Sequence, residues 1–317
     1  MIEYRNFKKY YGEKLIIKGI NLTIEKGEFV VIIGPSGCGK TTTVKALNRL
    51  IDNFEGEILI NGVNTREMDL IKLRTSIGYV IQQIGLFPNM TVEQNISVIP
   101  KLMKWEKQKT LDRVKELMAM VNMPYEEYGK KYPRQLSGGQ QQRIGVLRAL
   151  AVNPPIMIMD EPFGALDPIT REILQSEVKK IQKELQITVL FITHDMHEAM
   201  KMADKIVFMD KGEILQEATP REMLLHPANE TISRFIHLQE VSLKENQLTA
   251  ADMMQPLSGK PDQTHSIFVK ENTPLLDVGE QYQNGEDRLY VTDEAGSVVG
   301  EITMESLLRH LAGRCNK

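Results

Sequence analysis

Eight residues, Gly34-Pro35-Ser36-Gly37-Cys38-Gly39-Lys40-Thr41, restrict the folds open to this chain more than any other feature. They match G-x-x-x-x-G-K-[ST], and their neighbours suit that pattern. An apolar run, Phe29-Val30-Val31-Ile32-Ile33, precedes them, and Val44, Leu47 and Leu50 follow at helical spacing. The segment therefore reads as strand, tight loop and helix. In that setting the glycines let successive backbone N–H groups turn toward one anion, and the helix N-terminus adds partial positive charge. A triphosphate is the ligand such a loop suits. Lys40 would reach its β- and γ-phosphates and the Thr41 hydroxyl would coordinate Mg²⁺, with Thr42 completing the cradle.

At 317 residues and 42% apolar content the chain can hold one large domain or two unequal ones. Thirty-nine basic residues against forty-two acidic ones give a net charge of −3, and no basic tract is interleaved with aromatics. Nucleic acid is therefore not an expected partner. No apolar stretch approaches the length of a bilayer-crossing helix, and the start Met1-Ile2-Glu3-Tyr4-Arg5 lacks a signal-peptide core. A cytosolic protein is expected. Its two cysteines, Cys38 and Cys315, read as free thiols and offer no metal-ligand spacing.

Further segments narrow the class of nucleotide machine. Leu136-Ser137-Gly138-Gly139-Gln140 leads into an expected helix, Gln141 through Ala151. A serine hydroxyl, two glycine amides and a helix N-terminus make a second anion-binding surface without a lysine. Ile156-Met157-Ile158-Met159 then reads as a buried strand ending in Asp160-Glu161. Asp160 would hold Mg²⁺ through water and Glu161 would act as general base toward the attacking water. Val189-Leu190-Phe191-Ile192-Thr193 reads as another strand and ends in His194. Gln82 follows Ile77-Gly78-Tyr79-Val80-Ile81, with Gln83 beside it. Ligands of open α/β sheets sit beyond the carboxyl ends of the strands, where all these groups would converge.

With these motifs in place, the chain resembles the nucleotide-binding subunit of an ATP-binding-cassette transporter over about residues 1 to 236. The LSGGQ signature is present without change. The resemblance implies an α/β fold: a P-loop NTPase with a RecA-like core, an antiparallel β subdomain and a helical signature subdomain. It assigns Lys40 and Thr41 to the Walker A loop, Gln82 to the Q-loop, where its amide could touch metal or attacking water, and Ser137 to Gln140 to the signature. Asp160 becomes the Walker B aspartate and Glu161 the catalytic glutamate. Gly164-Ala165-Leu166-Asp167 becomes the D-loop and His194 the switch histidine. Tyr11 would stack on adenine, with Tyr10 its rival. ATP and Mg²⁺ are the implied cofactors, and a second copy in a head-to-tail dimer is the implied partner, each ATP lying between one Walker A loop and the other signature.

The same resemblance implies membrane partners. Residues 83 to 110 would dock a short helix from a permease subunit, with Pro88, Met90, Ile96 and Ile99 as apolar purchase and lysines 101, 104, 107 and 109 around Trp105 as a basic surface. The protein would sit on the cytoplasmic face of the cell membrane. The runs 78–88 and 159–168 are most similar to the quaternary-amine, or osmoprotectant, uptake group, which moves glycine betaine, carnitine and choline delivered by an extracytoplasmic solute-binding protein. An importer of ergothioneine, an amino acid or a polyamine stays open as an alternative. Repair ATPases with this signature carry a long coiled coil that is missing between Lys40 and Leu136, and translation factors of the family carry two cassettes per chain.

Past residue 236 a polar connector, 237 to 248, leads into a segment, 249 to 317, with a strand–helix–strand–strand–helix rhythm. Ile267-Phe268-Val269, Leu289-Tyr290-Val291 and Val298-Val299-Gly300-Glu301-Ile302 are its expected strands, Thr273-Pro274-Leu275-Leu276 and Met304 to Leu311 its helices. This segment resembles a single CBS motif, a small α+β domain. Such motifs work in pairs, so the tails of two protomers are expected to pair, either around cyclic di-AMP or only to stabilise the dimer.

Overall fold

The computed structural model describes residues 1–82, 85–164, 166–236, 249–257, 267–273, 278 and 288–303. The chain forms two compact units, Met1–Ser233 and Arg234–Lys317.

Two sheets organise the first unit. Strands β1 (Ile2–Tyr11), β2 (Lys14–Ile24), β4 (Glu55–Ile60) and β5 (Val63–Asn64) form an antiparallel sheet in the order β2-β1-β4-β5. A second sheet runs β10-β9-β3-β8-β7-β6, built from β3 (Phe29–Ile33), β6 (Ile77–Val80), β7 (Ile156–Asp160), β8 (Thr188–Ile192), β9 (Lys205–Asp210) and β10 (Glu213–Ala218). Its first five strands in sequence are mutually parallel, and only β10 runs antiparallel, against β9. Every residue of β3, β7 and β8 is buried. Their unbroken apolar runs fit strands covered on both faces.

Among the described residues, the following α-helices pack with these sheets. They are α1 (Lys40–Leu47), α2 (Leu70–Thr75), α3 (Val92–Ile96), α4 (Val98–Leu102), α5 (Lys107–Met120), α6 (Tyr125–Tyr128), α7 (Gly138–Leu150), α8 (Pro168–Leu185), α9 (Met196–Met202) and α10 (Pro220–Leu225). Two buried polar residues tie the helical part together. The Asn95 side chain accepts from Phe87 N at 2.8 Å and donates to the carbonyls of Phe87, Met90 and Thr91, fixing the loop before α3. Arg113 on α5 donates to the carbonyls of Leu150 and Ala151, placing a cation at the C-terminal end of α7. Among the described residues no helix is long and apolar enough to cross a membrane.

Local details depart from the sequence pattern. Helix α1 stops at Leu47; Arg49 adopts φ 48°, and Leu50 leaves the helix and is 52% exposed. Helix α7 starts at Gly138, three residues before the expected Gln141. Ser137 accepts from Gln140 N while the Gln140 side chain returns to Ser137 N, and this capping box starts the helix inside the signature. Ile81 and Thr193 lie just beyond their strands. Ile96, expected to offer a contact surface, is fully buried beneath α3.

The second unit contains a three-stranded sheet, β11 (Ile267–Lys270), β12 (Arg288–Thr292) and β13 (Val298–Thr303). β11 pairs parallel to β12, and β12 antiparallel to β13, through a turn in which Gly296 takes φ 80°. Ala250, Val269, Val278, Leu289, Val291 and Ile302 form its core. The connector expected at 237–248, the helices expected at 274–276 and 304–311, and Cys315 lie outside the described residues.

Candidate nucleotide-binding site

β3 delivers the phosphate loop beside β9. Gly34 takes φ 148°, and a Cβ there would lie 1.9 Å from the Met209 carbonyl oxygen, so only glycine fits. Gly39 takes φ 115°, and its Cβ would meet Ile17 Cδ1 at 2.3 Å. Gly212 N donates to Cys38 O at 3.0 Å and anchors the loop from the outside. Lys40 is buried, and its Nζ donates to Gly34 O at 2.7 Å and Pro35 O at 3.0 Å. The Cys38 thiol is also buried, and burial pushes its pKa up against the opposing charge of Lys40. A cavity of about 190 Å³ opens on this loop, lined by Ser36, Gly37, Lys40, Thr42, Ile16 and Glu161 among others.

The neighbouring strand ends supply the other polar groups. Thr41 Oγ1 donates to Asp160 Oδ1 at 3.1 Å, and the Tyr79 hydroxyl reaches Asp160 Oδ2 at 3.5 Å. Burial, helped by the charge of Glu161, raises the Asp160 pKa despite these bonds. Tyr79 was not among the expected site residues. Its only sequence signal is its place on β6, where Tyr79 pairs with Ile158 and Val80 with Met159 on β7.

Glu161 follows β7 in the left-handed region, φ 45°, with its N–H donating to Ile192 O at 3.0 Å. That turn is sterically costly for a side chain with a Cβ and aims the carboxylate at the phosphate-loop cavity. Gln82 Nε2 donates to Glu161 Oε2 at 3.1 Å, and His194 Nδ1 stands 3.5 Å from the same oxygen. The ends of β6, β7 and β8 thus meet at one carboxylate oxygen. Beneath His194, the buried Glu198 carboxylate accepts from Thr193 Oγ1 at 2.6 Å and Gln175 Nε2 at 3.2 Å. Gln83 lies outside the described residues.

Other expected residues stand apart from this cavity. Ser137, Gly138, Gly139 and Gln140 open α7 and do not line it. Asp167 caps α8, accepting from Thr170 N at 3.0 Å, and the Thr170 hydrogen bonds hold its carboxyl below the usual range. Tyr11 is 53% exposed with Lys9 Nζ 5.2 Å from its ring centre, Tyr10 is also exposed, and the apolar wall of the cavity is Ile16 instead. A second cavity, about 340 Å³, lies between β6 and the helices, with Arg74, Tyr79, Phe87, Ile99 and Arg148 on its walls. Arg148 donates to Gly85 O at 2.7 Å, and burial lowers its pKa.

The ABC transporter family profile matches residues 17–164, and the CBS domain profile matches residues 262–313. The chain is 53% identical over 266 residues to the glycine betaine/carnitine/choline transport ATP-binding protein OpuCA of Bacillus subtilis, covering 83% of this chain and 70% of that protein. The chain belongs to the ABC transporter family. It is also 58% identical over 229 residues to the choline transport ATP-binding protein OpuBA of the same organism, covering 72% of this chain and 60% of that one. Against the osmoprotectant import ATP-binding protein OsmV of Salmonella typhimurium it is 43% identical, covering 99% of this chain and 82% of that one. Among solved structures, the dimeric bacterial ABC transporter cassette MJ0796 superposes with a TM-score of 0.62 at 38% identity, covering 70% of this chain and 99% of that one. As an ABC transporter cassette, the first unit binds and hydrolyses ATP, and the second contributes one CBS domain.

Proposed function

We propose that this chain is the ATP-hydrolysing subunit of an importer for a quaternary-amine osmoprotectant, glycine betaine, carnitine or choline. The observation that carries the catalytic half is the convergence of Gln82 and His194 on Glu161 beside the phosphate loop. The substrate half rests on the names of the relatives, several of which are osmoprotectant ATP-binding proteins. The solute itself would be held by the permease and by an extracytoplasmic solute-binding protein.

In this reading Gly34 to Thr42 cradle the phosphates and Lys40 turns its ammonium from the loop carbonyls to the β- and γ-phosphates. Glu161 takes the proton of the attacking water as its oxygen bonds to the γ-phosphorus and the bond to the β–γ bridging oxygen breaks. Gln82 and His194 hold the Glu161 carboxylate and the transferring phosphoryl group in line. The hydroxyl of Thr41, the Asp160 carboxylate and the Gln82 amide are hard oxygen donors, few in number, and suit a Mg²⁺ that keeps its remaining positions for phosphate and water. When bound, Mg²⁺ would neutralise charge on the β- and γ-phosphate oxygens.

Two copies would pair so that Ser137 to Gln140 of each close over the ATP held by the other, with Asp167 at the seam. Support comes from the place of the signature outside its own chain's cavity and from the dimeric cassette among the solved relatives. Tyr11 would stack on adenine from the edge of β1. The 340 Å³ cavity would receive a permease helix, and the protein would then lie on the cytoplasmic face of the membrane. We assign the cassette to 1–236, a linker to 237–248 and the CBS domain to 249–317, whose pairing across the dimer would offer a cleft for a twofold-symmetric ligand such as cyclic di-AMP.

The test is the purified chain with ATP and Mg²⁺, followed by light scattering of Glu161→Gln. Hydrolysis by the parent chain and an ATP-dependent dimer of the variant are expected. A variant that remains monomeric at saturating ATP would overturn the composite-site reading.

A further inference from the structure

Helix α8 begins at the residue after the D-loop carboxylate, Asp167, and its first turn touches three loops. Thr170 N donates to Asp167 Oδ1, and its hydroxyl also bonds that carboxylate. Arg171 donates to Leu166 O at 3.2 Å and stands 3.5 Å from Asp195, the residue after His194. On the other side, the Thr170 methyl is set against the signature. A Cβ placed on Gly139 would lie 2.3 Å from Thr170 Cγ2, and the next nearest atom of that side chain, its Cβ, would be 3.7 Å away. Four residues past Gly139 on α7 and seven past Thr170 on α8, Arg143 and Glu177 form an ion pair at 2.9 Å, with both side chains mostly buried. The two helices therefore cannot slide apart cheaply to relieve a clash at Gly139.

Gly139 itself needs no special backbone. It sits in the first turn of α7, and no left-handed φ is recorded for it. Its lack of a side chain answers a neighbour.

We infer that Thr170 is a positioning residue that sets the spacing between the signature and the D-loop of one protomer, and that its methyl group is what excludes a side chain at position 139. This rests on the reading that the signature serves the partner's ATP. Thr170 then connects the two sites of the dimer: its polar atoms follow the segment that leaves Glu161, and its methyl carries that position to the glycine facing the other nucleotide. Serine at 170 keeps the hydroxyl for Asp167 and removes only Cγ2. It leaves an added Cβ at position 139 with ordinary contacts.

A cycle of Gly139→Ala, Thr170→Ser and the double variant in the full chain tests this. Gly139→Ala is expected to lower the melting temperature by several degrees. With Thr170→Ser present the same change is expected to raise it, because an unobstructed alanine favours a helix over glycine. In a Glu161→Gln background, Gly139→Ala is expected to raise the ATP concentration needed for dimer formation at least about tenfold, and Thr170→Ser to bring it back within about threefold. Conservative rescue of this kind would not follow from general loosening of the fold. Gly139→Ala that melts like its parent, or a dimerisation defect that Thr170→Ser leaves in place, would overturn the inference and assign the glycine to close approach of nucleotide. If Glu161→Gln alone fails to dimerise, the composite-site reading fails separately, and the melting cycle still decides the role of Thr170.

Discussion

Gln82 donates from Nε2 to Glu161 Oε2 at 3.1 Å, across the gap between the ends of two parallel strands. The bond ties the segment that leads toward the cavity of about 340 Å³ to the carboxylate that faces the phosphate loop. Gln82 is exposed and lies beyond β6, which is held by its own backbone pairing, so its side chain can be removed without unfolding the sheet. Gln82→Ala is expected to lower kcat about 10- to 100-fold with the melting temperature unchanged, whereas Glu161→Gln is expected to lower it by about 10²–10⁴ while ATP still binds. Steady-state hydrolysis and nucleotide titration on the same preparations check both.

Lys40 lies buried with its ammonium satisfied by two loop carbonyls. Lys40→Ala removes the only side-chain cation of the loop. ATP affinity is expected to fall at least about a hundredfold, or about 2.7 kcal/mol. Calorimetric titration measures it, and circular dichroism should show an intact fold.

Gly34 tests the packing of the loop rather than its chemistry. Alanine there would need φ 148° and would drive a Cβ to 1.9 Å from the Met209 carbonyl oxygen. Neither the β9 backbone nor the strand leading into the loop can yield easily. Gly34→Ala is expected to destabilise the fold by more than about 2 kcal/mol in chemical denaturation.

Glu198 makes stability depend on pH. Burial raises its pKa above the usual value of 4.5, against the bonds from Thr193 and Gln175. A carboxyl whose folded pKa is raised supports folding in its protonated form, and that support is lost as pH rises through the folded value. Glu198→Gln stays neutral and can keep both bonds if the Gln175 amide turns over. The melting temperature of the variant relative to the parent is therefore expected to be higher in neutral and alkaline buffer than near the unshifted value of 4.5. Scanning calorimetry across that range checks the sign.

What could be read from the sequence was what local pattern encodes. Phe29 to Ile33 is apolar at every position, which suits only a strand covered on both faces, and the loop after it carries its glycines where the backbone has no room for Cβ. The grouping of Gln82, Glu161 and His194 followed from one topological rule, that parallel strands release their ligands at the same edge. Contacts set by register were not legible. Tyr79 reaches Asp160 because β6 happens to pair with β7 in one alignment, and Ile16 lines the nucleotide cavity from a different sheet. Ile96 looked like a surface contact because a five-residue helix is too short to reveal its inner face by periodicity. The signature helix began early because Gln140 serves both as the last residue of a motif and as the return arm of a cap.

The central claim is best tested by uptake. In cells whose only copy of this chain carries Lys40→Ala, the entry of labelled glycine betaine, carnitine and choline would be measured at low and high osmolarity beside cells carrying the parent chain. The account predicts that at least one of the three is lost in the variant, with the largest difference at high osmolarity. Equal uptake of all three in both strains would contradict it.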